Sequence, residues 1–312
     1  MITSPASSIT KAASKQTFTT IRFLVDRDRV EDAYRAYAYF RWVDDTLDAD
    51  PGAVLSEVEA SGRRAFLERQ KSLLESCYRG ETPREVNIQE NMLVELVRGD
   101  TEKNSGLEAY LRNMMLVMDF DAQRRGKWVS QIELSEYTLW LAMAVTEAMH
   151  YFIGHGDYSP RDEGRYLAVS AAFITHMLRD TYDDVQAGYY NIPREVLEAH
   201  QIWPQEVQSE AYRAWVKSRV LLAREYFEAG RDYLAQVQNR RCRLAGFAYT
   251  ARFEWLLDTV EREGYALRPQ YSERRSLRTG ARMGWQAISS MINLRGTATL
   301  PQPVVSHRMG KL

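Results

Sequence analysis

The 312-residue chain is poor in cysteine: only Cys77 and Cys242 are present. They lack a CxxC step or zinc-ligand spacing, so a disulfide framework is not expected and a reducing compartment is the default. Glycine and proline are also sparse, at 17 and 9 residues, which excludes collagenous and low-complexity classes. They gather at GETPRE, GDTEKNSG, GHGDYSP, NIPRE and REGYALRP, which read as breaks between helices. No excess of one charge exists, since 41 basic residues face 42 acidic ones. Wholesale electrostatic binding to nucleic acid or a membrane is therefore not expected, and any phosphate site must be local. Long apolar runs are missing as well. The longest, residues 137–153, is broken by Thr138, Thr146, Glu147 and His150, so no membrane span is expected. The first 18 residues lack an apolar h-region. These absences predict a cytoplasmic protein, with at most peripheral contact with a bilayer. No lipid anchor or strongly basic amphipathic helix supports that contact.

Helical periodicity is what the sequence does have. Apolar residues recur at helical spacing with no convincing alternating stretch, which predicts an all-α fold with helices near 28–48, 53–78, 105–125, 132–154, 161–187, 205–236, 239–263 and 273–290. YTLWLAMAVTEAMHYFI and GRYLAVSAAFITHMLRD are apolar nearly all round, the pattern of helices surrounded by others. With no linker and no fixed-period repeat, the chain reads as a single helical-bundle domain over 1–292, followed by a loosely ordered tail over 293–312.

Two acidic segments interrupt this pattern. RDTYDDVQAG, residues 179–188, sets Asp180 and Asp184 four apart, with Arg179 directly before them. AYAYFRWVDDTLDAD, residues 36–50, repeats the chemistry with Arg41, Asp44 and Asp48. On a helix such pairs stand roughly 5–6 Å apart at Cβ and repel. Paired carboxylates suit Mg²⁺, with Mn²⁺ as the alternative; Mg²⁺ keeps several waters and completes its octahedron with phosphate oxygens. One DxxxD is commonly a solvated acidic face. Two are harder to dismiss, because the second continues straight from the apolar run FITHMLRD, where unpaired charge is expensive.

These segments resemble the squalene/phytoene synthase family. SKQTF (14–18) is similar to the family's HSxSF, YRAYAYFRWVDDTLD (34–48) to its first acid motif, and EYTLWLAMAVTEA (136–148) to its EYCxxVAGxVG helix. MLRDTYDDVQAGYYNIPREVL (177–197) resembles the NxxRDxxxDxxxGRxYxP segment, and LLDTVEREGYAL (256–267) the C-terminal helix. The resemblance implies an isoprenoid synthase-type bundle with a central cavity, in which an allylic isoprenyl diphosphate is ionised with Mg²⁺. It makes Asp44, Asp48, Asp180 and Asp184 the metal-binding carboxylates, with Arg41 and Arg179 holding diphosphate. Phe18, Tyr37, Tyr137, Trp140 and Phe173 are candidate walls for the carbocation, Tyr37 and Tyr137 being favoured.

Several residues depart from the family pattern. His176 stands where an asparagine is expected, and reads either as a ligand-side group or as a hydrogen-bonding core residue. Met143 and Thr146 replace the two glycines of VAGxVG, which predicts a narrower or redirected tunnel lined by Met143, Met149 and Phe173. Lys15 replaces a serine beside the substrate, Tyr189 an arginine, and Phe253 and Gln270 stand for a tyrosine and an arginine; Arg268 compensates only in part. The implied reaction is head-to-head condensation of two prenyl diphosphates. The departures keep open transfer of one prenyl group to a second small-molecule acceptor, an aromatic ring for example, and a non-catalytic scaffold is the third reading. No GxGxxG loop is visible, and NADPH use stays open.

Overall fold

The computed structural model describes residues 4–48, 57–81 and 83–271. The expected helix at 273–290 and tail at 293–312 lie outside these residues. Among the described residues the chain forms eleven α-helices and no strand: α1 Pro5–Ala13, α2 Lys15–Leu24, α3 Val30–Leu47, α4 Glu57–Tyr78, α5 Ile88–Gly99, α6 Gly106–Arg124, α7 Gln131–Phe152, α8 Leu167–Ala187, α9 Arg194–His200, α10 Glu210–Gln236 and α11 Arg240–Arg262. The all-α expectation holds.

Local chemistry sets the helix ends. Ser130 caps α7 by accepting from the Glu133 N–H, while the Glu133 carboxylate accepts from the Ser130 N–H; Asn87 and Glu90 do the same for α5. Helix α8 stops at Gly188, whose φ of 86° is left-handed. There the Tyr189 N–H reaches back to the Asp184 carbonyl at 2.7 Å. This turn sends residues 189–191 back along the end of the helix. Four short helices, α1, α2, α5 and α9, have no counterpart in the sequence expectation.

Packing explains the arrangement. Helix α8 lies against α7, α10 and α11, while α3 packs on α1 and α5, and α6 on α7. Close approach of α10 to α8 requires Gly230, since a Cβ there would meet Ala168 at 2.6 Å. Two apolar cores result. One is built around Tyr39, Phe40, Leu93, Leu111 and Phe152, the other around Ile174, Tyr212, Phe227 and Leu256. Met177 of α8 touches both. Within the two apolar stretches 137–153 and 164–180, Leu139 at 45% and His176 are the exposed positions.

Candidate active site

A cavity of about 390 Å³ opens where α3, α6, α7 and α8 converge. Its wall holds four carboxylates: Asp44 from α3 and Asp48 capping its end, Asp121 from α6 and Asp184 from α8. The two acidic segments therefore face one space, although they lie more than 130 positions apart in sequence. Tyr137, Phe173, His176 and Met177 complete its apolar and polar sides.

The second acid set is held by a chain of hydrogen bonds. The Asn191 amide, returned by the turn after Gly188, donates to Asp184 Oδ2 at 2.7 Å. Its carbonyl oxygen accepts from Arg124 at 2.8 Å, and Arg124 also donates to Asp121 at 2.7 Å. The Tyr137 hydroxyl donates to the other oxygen of Asp121 at 2.6 Å. Arg124 is only 7% exposed, and its guanidinium lies 4.9 Å from the Tyr137 ring and 5.1 Å from that of Tyr189. One buried cation thus ties α6, α7 and α8 together below the acids.

Arg124 on the wall, with Arg41, Arg63 and Arg125 acting from outside it, does not offset the burial of Asp44, Asp48 and Asp184. Burial pushes the Asp184 carboxyl up to about 7, with the Asp180 charge adding to it, against Arg124 and the Asn191 hydrogen bond. Burial raises Asp44 to about 6, assisted by repulsion from Asp48, Asp45 and Asp121 against the opposing pull of Arg41. Asp48 is raised by burial and by Asp121. Burial and the neighbouring Asp121 charge also keep the Tyr137 phenol protonated far above its usual range.

The remaining expected residues fall into two groups. Asp180, Arg179 and His176 form a knot at the rim: Arg179 donates to both Asp180 oxygens at 2.6 Å and meets His176 Nε2 at 2.6 Å. His176 is 46% exposed, so the reading of it as a core residue is corrected. Its ring lies 6.2 Å from Phe253. Arg41 pairs with Asp45 and, at 3.3 Å, with Asp44 on its own helix. Asp180, Arg41 and Arg179 do not belong to the cavity wall, nor do Lys15, Phe18, Tyr37 and Met143. Lys15 is exposed at the start of α2, and Phe18 stacks on Tyr34 at 5.4 Å. Tyr37 and Met143 are half-buried on α3 and α7. Gln270 is exposed, and Arg268 pairs with Glu263. Phe173 packs edge-on against Tyr137 at 5.1 Å and Phe120 lies 4.9 Å beyond, so three aromatic rings back the cavity.

Asp121, Arg124 and Asn191 were not expected from sequence. The D-x-x-R step on α6 was the available signal, and alone it marks only an ordinary helix-face ion pair.

The donor set fits a divalent cation. It consists of hard carboxylate oxygens whose charges are incompletely matched, with the amide of Asn191 and the hydroxyl of Tyr137 supporting them. Among the described residues no three His, Cys, Asp or Glu side chains stand close enough together to hold a metal ion by themselves.

Residues 10–280 match the family model described as squalene/phytoene synthase. A dehydrosqualene synthase crystallised in complex with ligand superposes with a TM-score of 0.65 at 18% identity, covering 93% of this chain and 95% of that one. Squalene synthase HpnC from Alicyclobacillus acidocaldarius superposes with a TM-score of 0.64 at 17% identity, covering 84% and 94%. At these identities the two structures show a shared fold. Among curated proteins no significant match is found. No described helix is long and apolar enough to cross a membrane.

Proposed function

The chain belongs to the squalene/phytoene synthase family, and from that premise we propose that it is a Mg²⁺-dependent prenyltransferase acting on an allylic isoprenyl diphosphate. The observation that carries this reading is the meeting of Asp44, Asp48, Asp121 and Asp184 around one cavity backed by aromatic rings. Asp44, Asp48 and Asp184 would hold the metal ions, with Asp180 at the rim and Asp121 behind. When bound, Mg²⁺ supplies Lewis-acid neutralisation of the leaving diphosphate. The protein's own groups do the rest. Arg41 and Arg179 stand beside the acids to receive diphosphate oxygens, and Tyr137 and Phe173, with Phe120 packed behind Tyr137, offer aromatic walls to an allylic cation. Their close packing keeps water from its carbons.

Family membership supports head-to-head condensation of two prenyl diphosphates as the overall reaction. A second reading rests on the departures from the family pattern: Met143 and Thr146 stand for the two glycines and His176 for the asparagine, which favours transfer of a single prenyl group to a smaller acceptor. Incubation with Mg²⁺ and farnesyl or geranylgeranyl diphosphate, read by mass spectrometry, separates the cases. A C30 or C40 hydrocarbon supports condensation, and diphosphate release that requires an added acceptor supports transfer. No turnover with any donor would leave only a scaffold. NADPH dependence is read by repeating the incubation with and without it.

A further inference from the structure

We propose that a second cavity, enclosed by α7, α8 and α10, binds a compact amphipathic monoanion: an apolar body with one carboxylate, held by Arg219. This cavity is about 210 Å³. Scaled against the benzene-sized void of about 150 Å³, that suits a body of roughly eight to ten carbons.

Its wall is largely apolar. Leu134 and Leu139 come from α7, Leu167 and Ile174 from α8, and Trp215 and Leu222 from α10. Such a lining with a few polar groups is the usual composition of a small-molecule site. The polar groups are not all spent on the protein. The hydroxyl of Thr138 bonds back to its own helix at the Leu134 carbonyl, and that of Ser135 to the Gln131 carbonyl. Trp215 is 7% exposed and its indole N–H finds no acceptor among the described residues.

Arg219 is the decisive residue. Trp215, Arg219, Leu222 and Tyr226 occur at helical spacing on the stripe of α10 that lines the cavity. An aliphatic residue at 219 would continue the apolar wall; a guanidinium stands there instead. Among the described residues it forms no ion pair, and its one hydrogen bond is a long 3.4 Å contact from Nε to the adjacent Ser218. Burial lowers its affinity for its own proton, the only opposing influence being Tyr226. Glu163 lies on the same wall but is exposed and makes no ion pair with it. A half-buried guanidinium facing an apolar void is the partner that a planar carboxylate satisfies with two parallel hydrogen bonds. Leu139 stands exposed among the lining residues and supplies an apolar approach.

The site is distinct from the acid-lined cavity, whose carboxylates would repel this ligand. The two share only the wall residues Met177 and Asn191. The inference does not rest on prenyl transfer.

Titration of the full chain with 2-naphthoate by calorimetry, with octanoate as a second probe, tests it. One equivalent should bind. Arg219→Gln should weaken naphthoate at least tenfold while leaving the neutral ketone 2-acetylnaphthalene unchanged. Leu222→Trp, which fills the void, should abolish both, with circular dichroism confirming that each variant folds. Inorganic diphosphate with Mg²⁺ should not displace the probe. The assignment is overturned if neither carboxylate binds at millimolar concentration, if Arg219→Gln or Leu222→Trp binds naphthoate as wild type does, or if diphosphate with Mg²⁺ displaces it.

Discussion

Replacing Asp184 with asparagine should make the metal-free protein more stable at alkaline pH, while abolishing its response to Mg²⁺. In the folded chain this carboxyl titrates near 7, against an ordinary value of 3.8. Three units at about 1.4 kcal/mol each place the cost of its charge on the order of 4 kcal/mol at pH 8. The sign follows from the raised value. The stabilising contribution is fully present below about pH 4 and is lost as pH rises through about 7. Asparagine keeps the shape and can still accept the hydrogen bond that Asn191 donates. It removes the charge that meets burial and the neighbouring Asp180. Local relaxation and water entry reduce the gain, so an increase of about 1–3 kcal/mol is expected at pH 8 and almost none at pH 4. At roughly 2–4 °C per kcal/mol, this is a rise of several degrees in melting temperature in EDTA. Mg²⁺ at a hundred times its Kd should stabilise wild type by about 2.7 kcal/mol at pH 8, less at pH 5.5, and Asp184→Asn hardly at all. Thermal melts across pH 4–8, with EDTA or Mg²⁺, provide the reading. A variant no more stable than wild type at pH 8 without metal, or melts that Mg²⁺ raises equally in both, would refute the reasoning.

Asp44→Asn should eliminate Mg²⁺-dependent diphosphate release and leave the far-ultraviolet circular dichroism unchanged; normal turnover would remove Asp44 from the reaction. Arg165, 5% exposed, donates to both oxygens of Glu147 and to the Tyr233 hydroxyl. Arg165→Met should therefore cost about 3–5 kcal/mol in urea unfolding by stranding Glu147, and adding Glu147→Gln should recover part of it; an unshifted midpoint would contradict the pairing. Phe173→Ala removes a 9%-exposed ring between the acid cavity and Tyr137. It should destabilise by about 3–5 kcal/mol and shift donor preference toward longer prenyl chains in competition assays, and an unaltered preference would show that this ring does not limit the cavity.

Much of the site was legible because of a single periodicity. Carboxylates four apart share a helix face, so Asp44 with Asp48 and Asp180 with Asp184 could be read as two faces before any coordinates. What spacing could not supply was the third dimension. Asp121 and Arg124 occupy an ordinary i,i+3 pair, and only the return of the chain after Gly188 brings Asn191 against them. Nor could spacing show that Asp180 would be occupied by Arg179 and His176 rather than forming the cavity wall. The short helices escaped for a related reason. Helix α1, PASSITKAA, is only nine residues long, too short to be stable alone, and it is held by the Ser4 cap and by the Ser4 hydroxyl donating to Glu31 of α3. Tertiary contacts, not propensity, decide such segments.

Helix α8 serves two cavities at once. Phe173, His176, Met177 and Asp184 line the acid cavity, while Ser170, Ile174 and Leu178 line the apolar one. A helix with cavities along two faces and α10 and α11 packed against it must be apolar almost everywhere. Asp183 on that helix is exposed, but Asp184 turns into the acid cavity, where burial disfavours its ionised form. On α3 likewise, Asp45 is 55% exposed and its pairing with Arg41 is an ordinary surface contact worth little, while Asp44 faces the cavity and burial pushes it up to about 6. In both segments one member of the DD dipeptide is exposed and the other meets burial, Asp184 more strongly than Asp44. That burial penalty, more than the repetition of the motif, is what a bound cation would relieve.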